Sequence, residues 1–96
     1  MNSYPHPHDI KENYRVLAYI TSAPITSSSL ARVHRVKRLS DNLRIERGEI
    51  VLFGNERCRV IRFVEFPDDL GVELKVLNKL NTIIDAHCSQ LTEFIP

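Results

Sequence analysis

The sequence predicts an α+β fold in which a short N-terminal helical segment precedes a five-stranded small β-barrel. Asp9 and Glu12 have the spacing of a helix-capping box. Apolar residues then recur at helical spacing up to Leu39, and from Gly48 onward short apolar or alternating stretches are separated by turn-forming residues. A chain of 96 residues is long enough for one domain with one modest core.

The N-terminal part is predicted to form a flexible arm and then a helix. Residues 1–8 contain two prolines, two histidines and little that a core could bury, so we expect them to be flexible. The helix is expected to begin at Asp9 and end near Thr21. Its apolar face consists of residues at helical spacing: Ile10, Tyr14, Leu17 and Ala18. A strand over residues 14–20 is the alternative, because Tyr, Val and Ile favour strands.

A second helix with a basic surface is predicted from Leu30 to Leu39. Three serines before it are candidate N-caps, and its apolar positions follow a step of three residues. Residues 30–47 carry six bases against two acids, a balance of +4, whereas residues 48–96 carry five bases against eight acids, a balance of −3. The six bases are Arg32, Arg35, Lys37, Arg38, Arg44 and Arg47.

Five strands with polar turns between them are predicted for the rest of the chain. A turn at residues 54–56 joins a short strand at residues 50–53 to a long strand at residues 57–66. Apolar residues occupy both faces of the long strand, which predicts a β-bulge. After a loop at residues 67–71, three shorter strands are predicted at residues 72–77, 82–88 and 92–95. Closing these strands into a barrel would remove exposed sheet edges.

Composition indicates a soluble globular protein, since 43% of the residues are apolar and 26% are charged. No apolar run approaches the roughly 18 residues that cross a bilayer, and the N-terminus lacks the apolar core of a signal peptide. The cytoplasm is therefore the expected compartment, with no membrane contact. Cys58 and Cys88 lack ligand-like spacing and are expected to be buried. No further metal-ligand pattern accompanies the histidines of the arm, so neither a metal nor a cofactor is predicted.

The stretch GEIVLFGNERCRVIRF from Gly48, together with SQLTEF from Ser89, resembles the SH3-like small barrels of the Tudor and KOW kind. It looks most like the small barrel domains of DDE-type transposases and integrases, which begin with Gly-acid-x-Val and close with Ser-x-Leu. The resemblance implies an SH3-like barrel at residues 46–96, and the residue patterns described above predict the arm at residues 1–8 and a helical segment at residues 9–45 before it. It also implies a binding role in a mobile element or phage, and it transfers no catalytic residue.

The sequence contains no motif that predicts an enzyme. It lacks a Gly-rich phosphate loop, a His-Glu-x-x-His helix and a Gly-x-Ser-x-Gly elbow. His87 and Cys88 are adjacent, but neighbours in a strand point to opposite faces and cannot form a nucleophile–base pair. We therefore expect a non-catalytic protein without a small-molecule substrate.

Two binding functions remain open. The first is DNA binding through the basic segment at residues 32–47, whose six bases would contact phosphates without reading sequence. The second is protein–protein interaction, in which the barrel and helix dock a partner protein or a second copy of the chain. Its acidic surface would be formed by residues around one loop: Glu65, Asp68, Asp69 and Glu73. A helix-turn-helix regulator has less support, because the segment between the two predicted helices is longer than that motif uses.

Overall fold

The computed structural model describes residues 12–20 and 29–96, and most of these residues lie in antiparallel β-strands. The eight strands are β1 (Tyr14–Tyr19), β2 (Val33–Arg38), β3 (Arg44–Glu46), β4 (Ile50–Phe53), β5 (Glu56–Phe66), β6 (Asp69–Val76), β7 (Ile83–His87) and β8 (Leu91–Glu93). A single helical turn, α1 (Ser29–Arg32), precedes β2, and a 3-10 turn (Cys88–Gln90) precedes β8.

The strands form two sheets, which we call sheet A and sheet B. Sheet A contains three strands in the order β1-β2-β3, and sheet B contains five in the order β7-β6-β5-β4-β8. From β4 to β7 each strand of sheet B pairs with the next one along the chain, and β8 then returns to pair with β4. Within residues 12–20 and 29–96 neither sheet closes on itself, because β1, β3, β7 and β8 remain at the sheet edges.

The predicted α+β fold, a short helical segment followed by a five-stranded SH3-like small β-barrel, is therefore wrong. The part of the first predicted helix that the structure describes contains β1, as the strand alternative for residues 14–20 proposed, while its start at Asp9 lies outside the described residues. The second predicted helix is one turn followed by β2. Pairing explains this difference, since Val36 in β2 lies between Val16 of β1 and Ile45 of β3, and β-branched side chains pack well in such rows.

The five strands predicted after Gly48 are confirmed in number and approximate position as β4 to β8. The predicted bulge in the long strand is also confirmed, because the pairing with β6 shifts between Val60 and Arg62 and leaves Ile61 as the extra residue. β6 begins already at Asp69, since Leu70 pairs with Glu65 in the hairpin that was expected to be a loop.

Buried side chains from both sheets form one core. Sheet A contributes three β-branched residues, Val33, Val36 and Ile45, which are at most 1% exposed. The larger share comes from the inner face of sheet B: Val51, Cys58, Val60, Phe63, Leu70, Val72, Leu74, Val76, Ala86 and Leu91. Cys58 and Cys88 are buried and unpaired, and the expected burial of both is confirmed. No helix within residues 12–20 and 29–96 is long and apolar enough to cross a membrane.

Substitutions at adjacent residues of β5 test the bulge. Val60 is 2% exposed in the core, so Val60→Asp buries an unpaired charge and is expected to cost more than about 4 kcal/mol of unfolding free energy. Ile61 is the half-buried bulge residue, and Ile61→Asp is expected to retain a cooperative thermal transition. Circular dichroism melts of the two variants check this, and equal loss of structure in both would contradict the register of β5.

Candidate functional site

Arg38, the last residue of β2, is a buried cation that joins sheet A to the turn before β8. It is 7% exposed, and its Nη1 donates hydrogen bonds to the carbonyl oxygens of Cys88 at 2.7 Å and Leu91 at 2.8 Å. Its Nε and Nη2 donate to the two carboxylate oxygens of Asp41 at 2.9 Å and 2.6 Å. These hydrogen bonds from Arg38 lower the pKa of Asp41 to about 2. Arg38 is thus committed to holding the two sheets together.

Asp69 also contacts this turn. The hydroxyl of Tyr14 donates to its Oδ1 at 2.9 Å, while the hydroxyl and the backbone N–H of Ser89 donate to its Oδ2 at 2.8 Å and 3.3 Å. Burial opposes the charge of Asp69, but these hydrogen bonds outweigh burial and keep its pKa below the usual value. Burial and the bond to Asp69 raise the pKa of Tyr14, which keeps its hydroxyl protonated as a donor.

The residues around Asp69 include the types found in a nucleophile triad, but their order is different. Ser89 donates to Oδ2 of Asp69, and Nδ1 of His87 lies 3.4 Å from the same oxygen. In a catalytic triad the imidazole stands between hydroxyl and carboxylate and accepts the hydroxyl proton. Here the carboxylate stands between them. Burial also raises the pKa of the Cys88 thiol and so disfavours the reactive thiolate. The arrangement around Asp69 is therefore that of a hydrogen-bonded structural cluster.

The structure distributes the six bases predicted to contact DNA among different environments. Arg38 is buried as described above. Arg47 donates from Nε to the carbonyl oxygen of Val33 at 2.7 Å and from Nη2 to that of Ala31 at 3.0 Å. Nη1 of Arg35 lies 3.4 Å from the carboxylate oxygen Oε1 of Glu46. Three of the six bases therefore already bind oxygen atoms of the protein itself.

The remaining three are Arg32, Lys37 and Arg44. Arg32 ends α1 half-buried, and its Nε has no hydrogen-bond partner. Lys37 and Arg44 lie directly opposite each other on β2 and β3, and Arg15 lies opposite Lys37 on β1. Sheet A therefore places three cations in one line across its strands. We call Arg15, Lys37 and Arg44 the basic row.

The basic row lies on the outer face of sheet A. The sequence neighbours Tyr14, Val36 and Ile45 are buried in the core, and successive side chains of a strand point to opposite faces. Within the described part of the chain, no member of the row forms an ion pair. Like charges directly opposite each other destabilise a sheet. Repulsion within the basic row therefore lowers the stability of the fold, and no ion pair among the described residues offsets this repulsion.

Arg15 is absent from the predicted DNA-binding residues, because a helix was expected for this segment. The strand alternative would have indicated its position, since alternation from the buried Tyr14 places Arg15 on the opposite face. The pairing of Arg15 with Lys37 joins residues far apart in the chain, so no local sequence pattern indicates it.

The predicted acidic surface is also divided by the structure. Asp69 points into the molecule, and Glu73 accepts a hydrogen bond from Nε of Arg62 at 2.9 Å. Glu65 and Asp68 remain exposed near the β5–β6 hairpin. In residues 12–20 and 29–96, no group of three His, Cys, Asp or Glu side chains is arranged to hold a metal ion.

Two open sheet edges border one cleft. The edge strands β3 and β8 line a cleft of about 460 Å³, which also contains residues of β4 and of the β2–β3 turn. Its charged side chains have both signs and include Arg44, Glu49 and Glu93. The class defined by these features is a small antiparallel β protein with two open sheets. Comparison with protein-family models, curated proteins and solved structures finds no match for the chain.

The neighbours Arg38 and Lys37 provide a test of the buried cation. Arg38→Gln leaves the carbonyl oxygens of Cys88 and Leu91 without their donor and is expected to lower the free energy of unfolding by about 3 kcal/mol. Lys37→Gln changes an outer-face residue and is expected to have an effect within about 0.5 kcal/mol. Urea unfolding measures both values. Similar values for the two variants would contradict the described role of Arg38.

Acid should destabilise the protein through Asp69. The pKa of Asp69 is lower in the folded chain than its usual value, so the charged carboxylate stabilises the fold fully above about pH 4. This stabilisation is lost as the pH falls through the folded-state pKa. Asp69→Asn is expected to lower the free energy of unfolding by about 2–4 kcal/mol at pH 7. Between pH 5 and pH 2 this variant should lose less stability than the wild type.

Urea unfolding at several pH values gives this comparison, with the exposed neighbour Asp68→Asn as control. Asp68→Asn should keep the stability and the acid sensitivity of the wild type. An Asp69→Asn curve parallel to the wild-type curve at every pH would rule out Asp69 as a source of the acid sensitivity.

Proposed function

We propose that the chain is a non-catalytic module that binds duplex DNA by contacting its phosphates with the basic row. The observation that carries this proposal is the alignment of Arg15, Lys37 and Arg44 on the outer face of sheet A, without an ion-pair partner in the described residues. Phosphates bound along the row would relieve the repulsion between the three cations, and counterion release from the DNA would add to the affinity.

The form of the row favours phosphate contacts over base contacts. Neighbouring strands are about 4.8 Å apart, so the row extends about 10 Å across sheet A. Its three members include no aromatic side chain on which an unpaired base could stack, and stacking supplies much of the affinity of single-strand binders. The proposed binding is therefore to duplex DNA and independent of sequence.

The resemblance of the stretch from Gly48 to domains of transposases and integrases extends the proposal to a biological setting. There the protein would act as an accessory or regulatory factor of a mobile element or phage in the cytoplasm. The two unpaired, buried cysteines are compatible with a reducing compartment.

Protein–protein interaction is the alternative function, and the edge strand β7 favours it. Ile83, the first residue of β7, is 55% exposed, and Leu80 in the preceding turn is 88% exposed. Among the described strands β7 pairs only with β6, which leaves its other edge for a strand from a partner protein or from a second copy of the chain. This surface differs from the acidic one predicted from sequence.

The DNA proposal predicts a specific salt dependence of binding. Three phosphate contacts give a slope of about −3 for log K against log salt concentration, and Lys37→Gln/Arg44→Gln should reduce its magnitude to about 2 or less. The affinity of this double variant at low salt should fall at least about tenfold. Fluorescence anisotropy with two unrelated duplexes measures both quantities, and the two duplexes should bind equally.

The matched control is Arg62→Gln/Lys79→Gln, which also removes two positive charges. Both residues are already ion-paired, Arg62 with Glu73 at 2.9 Å and Lys79 with Glu56 at 3.6 Å. This control should keep the wild-type slope. No duplex binding at low salt would refute the proposal, and a dimeric mass in light scattering would then favour the alternative.

A further inference from the structure

A second group of cations lies on the outer face of sheet B. Arg59 of β5 is directly opposite Lys75 of β6, and Arg57 lies two residues from Arg59 on the same strand. All three are exposed, and alternation with the buried Cys58 and Leu74 places them on the face away from the core. We call Arg57, Arg59 and Lys75 the second basic patch.

The second basic patch has the same electrostatic character as the basic row. None of its members forms an ion pair in the described ranges, and Nη1 of Arg59 donates to the backbone carbonyl of Gly48 at 2.7 Å without losing its charge. The next cations on this part of the sheet are neutralised, Arg62 by Glu73 and Lys79 by Glu56. The fold therefore pairs some cations of sheet B and leaves three adjacent ones for an anionic partner.

The basic row and the second basic patch lie on different sides of the molecule. The inner faces of both sheets contribute to one core, so their outer faces are separated by that core. The shortest dimension of the molecule is 23 Å. Duplex DNA has a persistence length of about 50 nm, so one short duplex is too stiff to wrap around a body of this size and contact both faces.

We propose that the second basic patch binds a second DNA segment, so that a single chain bridges two duplexes. This inference rests on the proposed function, in which the basic row holds the first duplex. The chemistry at both faces is the same, because adjacent cations contact phosphates without reading bases. The second basic patch is the weaker of the two sites, because Arg59 already donates to the carbonyl of Gly48, so the basic row dominates the binding of a single duplex. The protein would thereby act as a cross-link between DNA segments, a role that one binding face alone cannot perform.

Bridging can be measured by energy transfer between two short duplexes, one carrying a donor dye and the other an acceptor dye. The wild-type chain at low salt should raise the transfer as protein is added. The transfer should fall again when protein exceeds DNA, because each duplex then binds its own protein molecule. Anisotropy with a single labelled duplex is measured in parallel and reports binding to one segment.

Arg57→Gln/Lys75→Gln is the test variant, and Arg59 is kept because it also bonds to Gly48. This variant should bind a single duplex within about threefold of the wild type and should lose the transfer signal. Arg62→Gln/Lys79→Gln, with the same loss of net charge on the same sheet, should keep the signal. A circular dichroism melt confirms that each variant is folded.

The outcomes separate the inference from the proposed function. Wild-type binding of a single duplex without any transfer would overturn bridging and leave the basic row as the binding site. Transfer that persists in Arg57→Gln/Lys75→Gln, or that is lost equally in Arg62→Gln/Lys79→Gln, would also overturn it. Absence of single-duplex binding by the wild type at low salt would refute the proposed function itself.

Discussion

The fold depends on the burial of a positive and a negative charge that both contact one 3-10 turn. A buried ion costs several kcal/mol unless paired and hydrogen-bonded. Arg38 meets this requirement through Asp41 and two carbonyl oxygens, and Asp69 meets it through Tyr14 and Ser89. Because Tyr14 and Arg38 belong to sheet A while Ser89 and Asp69 belong to the sheet B side, the two networks hold the sheets in one orientation. Neither sheet closes into a barrel, so these polar contacts and the shared core determine how the sheets pack.

Strand alternation gives neighbouring basic residues different roles. Lys37 and Arg38 are adjacent in β2, but Arg38 enters the interior whereas Lys37 lies on the outer face of sheet A. A sum of charges over residues 30–47 counts both residues equally. The charge available to a partner is instead set by the face on which each side chain lies and by the acids within reach. The same consideration reveals the second basic patch within a segment whose summed charge is −3.

Both outer faces combine paired and unpaired cations. Arg35 has Glu46 as cross-strand neighbour, and Arg62 has Glu73, so the sheets use opposite-charge pairs where these are available. In the basic row and the second basic patch, cations face cations instead. Such arrangements reduce stability in the free protein. Binding a polyanion would remove that cost, which is the physical link between sheet register and the proposed DNA function.

The strands and turns after Gly48 follow from local signals in the sequence, namely alternation, turn residues and the two-faced pattern of β5. The bulge at Ile61 and the positive φ of Gly54, 63°, agree with those signals. Pairing between distant segments makes Tyr14–Tyr19 and Val33–Arg38 strands, although their sequence patterns also suit helices. The tertiary structure also decided that the sheets stay open. The basic row has the same origin, because Arg15, Lys37 and Arg44 become neighbours only through the register of three strands.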